Sequence, residues 1–280
     1  MQETIESWLK KAAEKLKNAQ IESTQLDAEL ILARVLGVNR TFLHSHSEKK
    51  IPKTKLFHAN NWLNQRAKRV PLAYIFHEKE FFGRNFYVNS DTLIPRPETE
   101  TMVDLVKKIA DKADILLDVG TGSGIIPISI CAEFNQEISV AASDISLQAL
   151  AVANLNAKKL LGKTIPLFES NLLEKIPQNL LEKITIITAN LPYVDREWID
   201  SASPNELHFE PQNALYAEEN GLLLNKLLLT RAANLPELKF ILLEADPEQF
   251  DALIEHAQKF EFKLFEKANY TLVFRKALSK

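Results

Sequence analysis

Apolar residues recur at intervals of three and four positions along the first quarter of the chain, from residue 3 to residue 73. This spacing places apolar side chains on one face of a helix, so it predicts a set of short amphipathic helices. The residues that carry the pattern are Ile5, Trp8, Leu9, Leu26, Leu30, Ile31, Val35, Leu56, Trp62 and Leu63. Ser23 and Thr24 stand just before the predicted start of the second helical run, and Gly37 stands where it should end.

Beyond Pro95 the pattern changes to short apolar runs that alternate with helical stretches, which is typical of a mainly parallel sheet covered by helices. The predicted strands span residues 115–119, 138–143, 165–168, 184–189 and 238–243. Two further runs, 262–266 and 270–275, are too close together for a crossover helix, so they predict an antiparallel hairpin. We therefore predict an α/β catalytic domain over 95–280, preceded by a small helical domain over 1–84 and a linker to about 94.

Composition narrows the class of protein. Of the 280 residues 46% are hydrophobic and 25% are charged, which is the balance of a chain that buries a core rather than staying disordered. The net charge of −3 gives no general electrostatic attraction to nucleic acid or to an anionic membrane. The single cysteine, Cys131, cannot form an internal disulfide, and no stretch has the pattern of a signal peptide or a membrane span. These features predict a cytoplasmic protein.

Three of the seven glycines, Gly120, Gly122 and Gly124, directly follow the strand-like run ILLDV. A glycine-rich turn between a strand and a helix lets a ligand approach the backbone at a helix N-terminus. The turn departs from the dinucleotide pattern G-x-G-x-x-G, because Ile125 stands where that pattern has its third glycine. Asp144 ends the next predicted strand, at the separation from which an acidic side chain reaches ribose hydroxyls. The sequence thus predicts a nucleoside ligand over the turn.

At the end of the fourth predicted strand lie Asn190, Leu191, Pro192 and Tyr193. They resemble the N-P-P-Y loop of methyltransferases that modify planar exocyclic or amide nitrogens, with Leu191 in place of the first proline. Such a nitrogen is a poor nucleophile because its lone pair is delocalised. The Asn190 side-chain oxygen and the Leu191 carbonyl can accept its two N–H groups and hold it in line with a methyl donor, while Tyr193 offers its ring face to the substrate and to a cation.

The motifs AELILARVLG, RTFLH, RVPLAYI, TLIPRPETE, LLDVGTGSG, ASDIS, ANLPYV, HFEPQNALYAEENGL and FILLEA, in this order, cover nearly the whole chain. Taken together they resemble the release-factor glutamine methyltransferase family, the PrmC/HemK type. The resemblance implies a class I Rossmann-like methyltransferase sheet, S-adenosyl-L-methionine as cofactor and no metal. It further implies methylation of the glutamine in the GGQ motif of class I peptide release factors. The helical domain would then bind the release factor, which is the protein partner.

Carried over position by position, the resemblance also implies roles for individual residues. The cofactor-binding residues are Gly120, Thr121, Gly122, Ser123, Gly124, Asp144, Asn171, Leu172 and Asn190. The residues that hold the substrate glutamine are Asn190, Leu191, Pro192 and Tyr193. Asn171 stands where the family commonly has an aspartate that accepts a hydrogen bond from adenine, and Asp246 stands where a glycine is usual.

Several points stay open from the sequence alone. The same loop chemistry serves an adenine amino group in DNA or RNA, and a glutamine of a ribosomal protein is a nearer alternative acceptor; a noncatalytic binding module is a third reading. Arg96 and Glu98, in PRPETE, are candidates either for lining the pocket or for starting a helix. The long segment 195–220 is expected to cover the substrate, and His208 within it is not expected to bind a metal.

Overall fold

The computed structural model describes residues 3–194 and 205–277. It divides into two compact units, Met1–Phe76 and His77–Lys280. The division falls a few residues before the end of the helical domain that we predicted, whose boundary near residue 84 stays a prediction. Within the described residues, no helix combines the length and the apolar composition needed to cross a membrane.

The first unit consists of helices, as the spacing of its apolar residues predicts. They are α1 (Ile5–Asn18), α2 (Thr24–Leu36), α3 (Arg40–Ser45), α4 (Lys53–Ala67) and α5 (Leu72–Phe76). Helix α2 begins at Thr24 and ends at Leu36, and Gly37 caps it in the left-handed conformation, at φ 75°, that lets a helix terminate. The predicted start and end of this helix are therefore confirmed.

Polar side chains inside the helical unit are paired. The Trp8 ring is almost fully buried, and its Nε1–H donates to Asn60 Oδ1 at 2.8 Å. Arg66 Nε donates to Asp27 Oδ2 at 2.6 Å, and both side chains are more than nine-tenths buried. Since a buried charge is tolerated only with a partner, this ion pair fixes how α2 and α4 pack against each other.

The second unit is built on a seven-stranded sheet and a short hairpin. The hairpin strands are β1 (Lys79–Phe81) and β2 (Arg84–Phe86), and the strands of the sheet are β3 (Ile115–Val119), β4 (Ser139–Asp144), β5 (Leu167–Glu169), β6 (Ile186–Ala189), β7 (Phe240–Glu244), β8 (Phe262–Ala268) and β9 (Thr271–Lys276). The order across the sheet is β5-β4-β3-β6-β7-β9-β8. The first five strands run parallel and β9 is antiparallel to both of its neighbours.

Among the described residues of this unit, the α-helices are α6 (Glu100–Ile109), α7 (Ile125–Glu133), α8 (Leu147–Leu161), α9 (Gln178–Leu181), α10 (Gln212–Leu215), α11 (Leu223–Ala232) and α12 (Phe250–Gln258). Short 3-10 helices span Pro97–Thr99, Asn205–Phe209 and Pro247–Gln249. All five predicted parallel strands and the terminal hairpin are present, so the predicted α/β class is confirmed. The β1–β2 hairpin was not predicted from the sequence.

Both faces of the sheet are covered by apolar side chains, because neighbouring residues of a strand point to opposite faces. Leu116, Ile186 and Leu242 belong to one buried cluster. Leu117, Ile187 and Leu243 belong to the other. With its faces occupied, the sheet leaves its carboxyl edge as the place where loops carry polar groups. The glycine turn, Asp144, Asn190 and Glu244 all lie at the ends of neighbouring strands along this edge.

Candidate active site

The glycine turn after β3 has a backbone that only glycine adopts readily. Gly120, Gly122 and Gly124 have φ values of 75°, 54° and 81°. A Cβ on Gly120 would lie 2.7 Å from Leu191 Cδ2, and one on Gly124 would lie 2.8 Å from Ile128 Cδ1. A Cβ on Gly122 would meet nothing within 4 Å. The outer two glycines therefore allow close packing, while the middle one leaves the turn open to a ligand.

Asp144 holds this turn in place. Its Oδ2 accepts the Gly122 N–H and its Oδ1 accepts the Ser146 N–H, both at 2.9 Å. Burial raises the pKa of the Asp144 carboxyl, and these backbone hydrogen bonds oppose that rise. Each carboxylate oxygen has a further lone pair, so Asp144 keeps acceptors for a ligand after making both backbone contacts.

One cavity at the carboxyl edge brings most of the predicted cofactor residues together. From the turn it is lined by Gly120, Thr121, Gly122 and Ser123. From the neighbouring loops it is lined by Asp144, Asn171, Leu172 and Asn190. Gly124 is the exception, since it begins α7 and packs against that helix and α8 instead of facing the cavity. Ile145, which the sequence analysis missed, lines the cavity with a 60% exposed apolar side chain.

Asn171 and Leu172 follow β5 at the rim of this cavity. Asn171 Nδ2 donates to Glu174 Oε1 at 3.2 Å, which leaves the side-chain oxygen of Asn171 available as an acceptor. Leu172 takes a positive φ of 53° and is 5% exposed, so its side chain belongs to the core and to the cavity wall at once. The amide at 171 therefore retains the accepting ability that the usual aspartate has, without its charge.

A second cavity lies beside the first and shares with it Arg96, Asn190, Leu191 and Pro192. Tyr193 lines only this second cavity. Leu191 is 5% exposed and packs its side chain into the core below the loop. Residues 190–193 thus form a partition, with the glycine turn on one side and the second cavity, which Tyr193 and Glu244 line, on the other.

Glu244, at the end of β7, is a polar residue of the second cavity that the sequence analysis missed. It is 1% exposed, and its Oε1 accepts the Tyr193 hydroxyl at 3.3 Å. Burial raises the pKa of the Glu244 carboxyl to about 7, and the neighbouring side chains of Thr99, Tyr193 and Asn190 oppose that rise. The signal that could have revealed it is a glutamate directly after a run of apolar residues in a buried strand.

Asp118 is a second buried carboxyl close to the glycine turn. It is fully buried in β3, and Thr188 Oγ1 donates to its Oδ1 at 2.6 Å. Burial raises the pKa of Asp118 to about 7, and the nearby Asp144 contributes to the rise. The sequence also contained a signal for Asp118, because an aspartate inside the apolar run ILLDV must be buried together with that strand.

Tyr193 is fixed through its backbone as well as its hydroxyl. Gln249 Nε2 donates to the carbonyl oxygens of Tyr193 and Asn220, at 2.8 and 2.7 Å. Gln249 Oε1 in turn accepts the Asp246 N–H at 3.0 Å, and Asp246 caps the short helix that follows. Asp246, whose role the sequence left open, therefore positions the side chain that connects the loop 190–193 to the segment just before α11.

The segment 195–220, which we predicted to cover the substrate, lies partly outside the described residues, since 195–204 are not described. Its described part is anchored by Glu210, which is 5% exposed. Glu210 Oε1 accepts from Arg96 Nη2 at 2.6 Å, and Glu210 Oε2 accepts the Ile94 N–H at 2.9 Å. Arg96 lines both cavities, whereas Glu98 is exposed and belongs to a short helix.

Within residues 3–194 and 205–277, no group of three or more His, Cys, Asp or Glu side chains is arranged to hold a metal ion.

Comparison with known proteins assigns the chain to a family. The family model of the PrmC N-terminal domain matches residues 7–76, and that of the methyltransferase small domain matches residues 98–219. The release factor glutamine methyltransferase of Buchnera aphidicola subsp. Schizaphis graminum is 33% identical over 276 residues, 95% of this chain and 92% of that protein. This chain belongs to the release factor glutamine methyltransferase family. The protein of the same name from Leptospira interrogans is 34% identical over 259 residues, 90% of this chain and 89% of that protein.

Solved structures resemble this release factor glutamine methyltransferase family member in fold. The hMettl16 catalytic domain in complex with MAT2A 3'UTR hairpin 1 has a TM-score of 0.57 and 16% identity, over 87% of this chain and 90% of that one. A methyltransferase from Pyrococcus furiosus has a TM-score of 0.50 and 17% identity, over 77% of this chain and 99% of that one. At these identities the likeness shows the Rossmann-like methyltransferase fold.

The methyl donor of this family is S-adenosyl-L-methionine, and the first cavity fits it. The turn at Gly122 leaves room for close approach of a ligand, as a Cβ there would point into open space. Asp144 places acceptors beside the turn, and the exposed side chain of Ile145 follows directly as an apolar face for a base. A nucleoside with an extended polar chain is the ligand class that such a combination accommodates.

Proposed function

We propose that this protein transfers a methyl group from S-adenosyl-L-methionine to the side-chain amide nitrogen (N5) of the glutamine in the GGQ motif of class I peptide chain release factors. The observation that carries the proposal is the position of Asn190, which lines both the cofactor cavity and the second cavity. A side chain at that place can hold an acceptor nitrogen between the two. The full-length relatives named for release factor glutamine support the choice of acceptor.

In this proposal the first cavity holds the cofactor, which supplies an electrophilic methyl group when it is bound. The residues that would bind it are those of the glycine turn (Gly120, Thr121, Gly122, Ser123 and Gly124) together with Asp144, Asn171, Leu172 and Asn190. Gly124 would act through the shape of the turn, because it starts α7 and does not face the cavity. Asp144 would accept a ribose hydroxyl with the lone pairs that its backbone contacts leave.

The catalytic loop would hold the substrate amide. The Asn190 Oδ1 and the Leu191 carbonyl accept the two N–H groups of the glutamine, which localises the lone pair of its nitrogen toward the methyl group. Pro192 stiffens the loop at that point. Tyr193 lines the second cavity and presents its ring to the glutamine side chain. The leucine at 191 should be tolerated in place of a proline, because the acceptor that it supplies is a backbone oxygen, but it removes some of the loop's rigidity.

The helical region 1–84 would bind the folded release factor, and the segment 195–220 would cover the glutamine. We include a cytoplasmic location in the proposal, and we expect neither stable nucleic-acid binding nor membrane association. The net charge of −3 supports the absence of a general attraction to phosphate groups.

An acceptor panel with labelled S-adenosyl-L-methionine tests the proposal. We expect one methyl group per class I release factor, and none when the glutamine of its GGQ motif is changed to alanine. Ribosomal protein and adenine-containing DNA and RNA are the competing acceptors in the panel, and preference for either would overturn the proposal. Asn190→Ala is the matched enzyme variant: it should lose about 10²–10³-fold in turnover, the usual effect of removing one preorganised transition-state contact.

A further inference from the structure

The Asn190 side chain has to present its oxygen, and not its NH₂ group, to the substrate amide. The two ends of an asparagine amide have the same shape, so only their hydrogen-bond partners decide which end faces the cavity. Something on the protein side must therefore select one orientation. The following inference rests on the proposed function, since it concerns how Asn190 is prepared for that reaction.

The partner of Asn190 on the protein side is Thr99, from the PRPETE segment. Asn190 Nδ2 donates to Thr99 Oγ1 at 3.1 Å, and the Thr99 side chain is fully buried. Both Thr99 and Asn190 adjoin the Glu244 carboxyl and lower its pKa, which burial raises. The Oε2 of Glu244 makes no hydrogen bond of ordinary length with the described residues, although it is buried. Three polar side chains from separate segments thus meet behind the catalytic loop.

The donors and acceptors in this group have a fixed direction when Glu244 is ionised. A carboxylate can only accept hydrogen bonds, whereas a hydroxyl donates one and accepts others. A Thr99 hydroxyl that donates to this neighbouring carboxylate would leave only the lone pairs of Thr99 Oγ1 for Asn190. The Asn190 NH₂ group is then the end that binds to Thr99, and Oδ1 is the end left for the cavity.

We propose that Thr99 and Glu244 are positioning residues, which act through this directed chain of hydrogen bonds to keep Asn190 Oδ1 turned toward the acceptor amide. A group at position 244 that can also donate a hydrogen bond no longer fixes which members of this chain are donors and which are acceptors. Such a group can donate to Thr99 Oγ1, and the Thr99 hydroxyl can then donate to Asn190 Oδ1. The side-chain amide of Asn190 is then flipped, so that its NH₂ group faces the cavity. Neither Thr99 nor Glu244 needs to touch the substrate for this effect.

Substitutions at Thr99 separate this role from simple packing. Valine has the shape of threonine without the hydroxyl, whereas serine keeps the hydroxyl and loses a methyl group. We expect Thr99→Val to lower kcat about tenfold, the size of one hydrogen bond to a charged or oriented partner, and Thr99→Ser to recover most of that loss. A purely structural role predicts the reverse order, because the buried site would tolerate valine better than serine.

A pH profile tests the part played by Glu244. We expect kcat of the wild type to fall as the pH is lowered through about 7, the pKa of this carboxyl, because the protonated group can donate. Glu244→Gln, which can donate at every pH, should have a lower kcat and lack this inflection. The other titratable groups that act on this carboxyl are Glu98 and the Tyr193 hydroxyl, and the charges of Arg96 and Tyr270 act on the pKa of Tyr193. All four residues are kept in the variant.

Calorimetric affinity for S-adenosyl-L-methionine serves as the control for folding and should change by less than a factor of about three in all three variants. If Thr99→Val does not fold, Glu244→Gln and its pH profile still decide the question. If the wild type is active, either of two results would overturn the positioning role and leave the proposed function standing. One is an unchanged kcat in Thr99→Val, and the other is a pH profile of Glu244→Gln that keeps the inflection. A wild type that methylates no release factor overturns the proposed function instead.

Discussion

Glu244→Gln should make the protein more stable at alkaline pH while it lowers activity. The pKa of this carboxyl rises from 4.5 to about 7 on folding, because the folded protein buries it. A carboxyl whose pKa is raised binds its proton more tightly in the folded state, so its contribution to stability is largest at low pH. That contribution is lost as the pH rises from the unfolded pKa to the folded pKa. Glutamine does not titrate and loses nothing over this range.

The size of the effect follows from the pKa change. At 1.36 kcal/mol per pKa unit, the free energy of unfolding of the wild type should fall by about 2–3 kcal/mol between pH 5 and pH 8 through this group alone. Other buried carboxyls, such as Asp118, are present in both proteins and cancel in the difference. Urea unfolding of wild type and Glu244→Gln at both pH values measures it. An equal pH dependence in the two proteins would refute the reasoning, whatever their stabilities at either pH.

Two further predictions concern the glycine turn and the support of the catalytic loop. Asp144→Ala should weaken S-adenosyl-L-methionine binding about ten- to a hundredfold in calorimetry, by loss of a charge-assisted hydrogen bond, and an unchanged affinity would remove Asp144 from the site. In urea unfolding, Gly221→Ala should destabilise the protein far more than Gly162→Ala, although both glycines have positive φ. A Cβ at position 221 would lie 1.9 Å from the Tyr193 carbonyl oxygen, whereas a Cβ at position 162 would meet no atom within 4 Å. Equal losses of stability in the two alanine variants would contradict this account.

The regular parts of the fold were predictable because burial on both faces leaves a plain trace in the sequence. The run at 115–119 is bounded as predicted, whereas the strands within the runs at 184–189 and 238–243 begin only at Ile186 and Phe240. Ile184 and Leu238 precede these strands and are buried in the same core cluster, so each apolar run is longer than its strand. The β1–β2 hairpin was missed because its strands have three residues each, too few for an alternating pattern to appear.

The candidate site was predictable where a residue type has few other uses. Glycines that cluster after a strand, and an asparagine, proline and tyrosine at the end of another, indicated the turn and the loop. Thr99 could not be found in this way, because a threonine near a helix start has an ordinary interpretation as a cap. In the structure Thr99 makes no capping bond and accepts from Asn190 instead. Contacts between segments nearly a hundred residues apart are not contained in local patterns.

The two buried carboxyls that local patterns did not explain lie on either side of the same strand. Asp118 belongs to β3 and Glu244 to β7, the two neighbours of β6, and β6 leads directly into Asn190. Asp118 accepts the Thr188 hydroxyl and Glu244 accepts the Tyr193 hydroxyl, and each carboxyl has one buried oxygen that makes no hydrogen bond of ordinary length with the described residues. Apolar residues there would give a more stable sheet, because a buried carboxyl is ionised only at the expense of folding free energy. The two buried carboxyls thus flank the strand that leads into residues 190–193, the proposed catalytic loop, which is the arrangement expected where polar groups are held in place at a cost in stability.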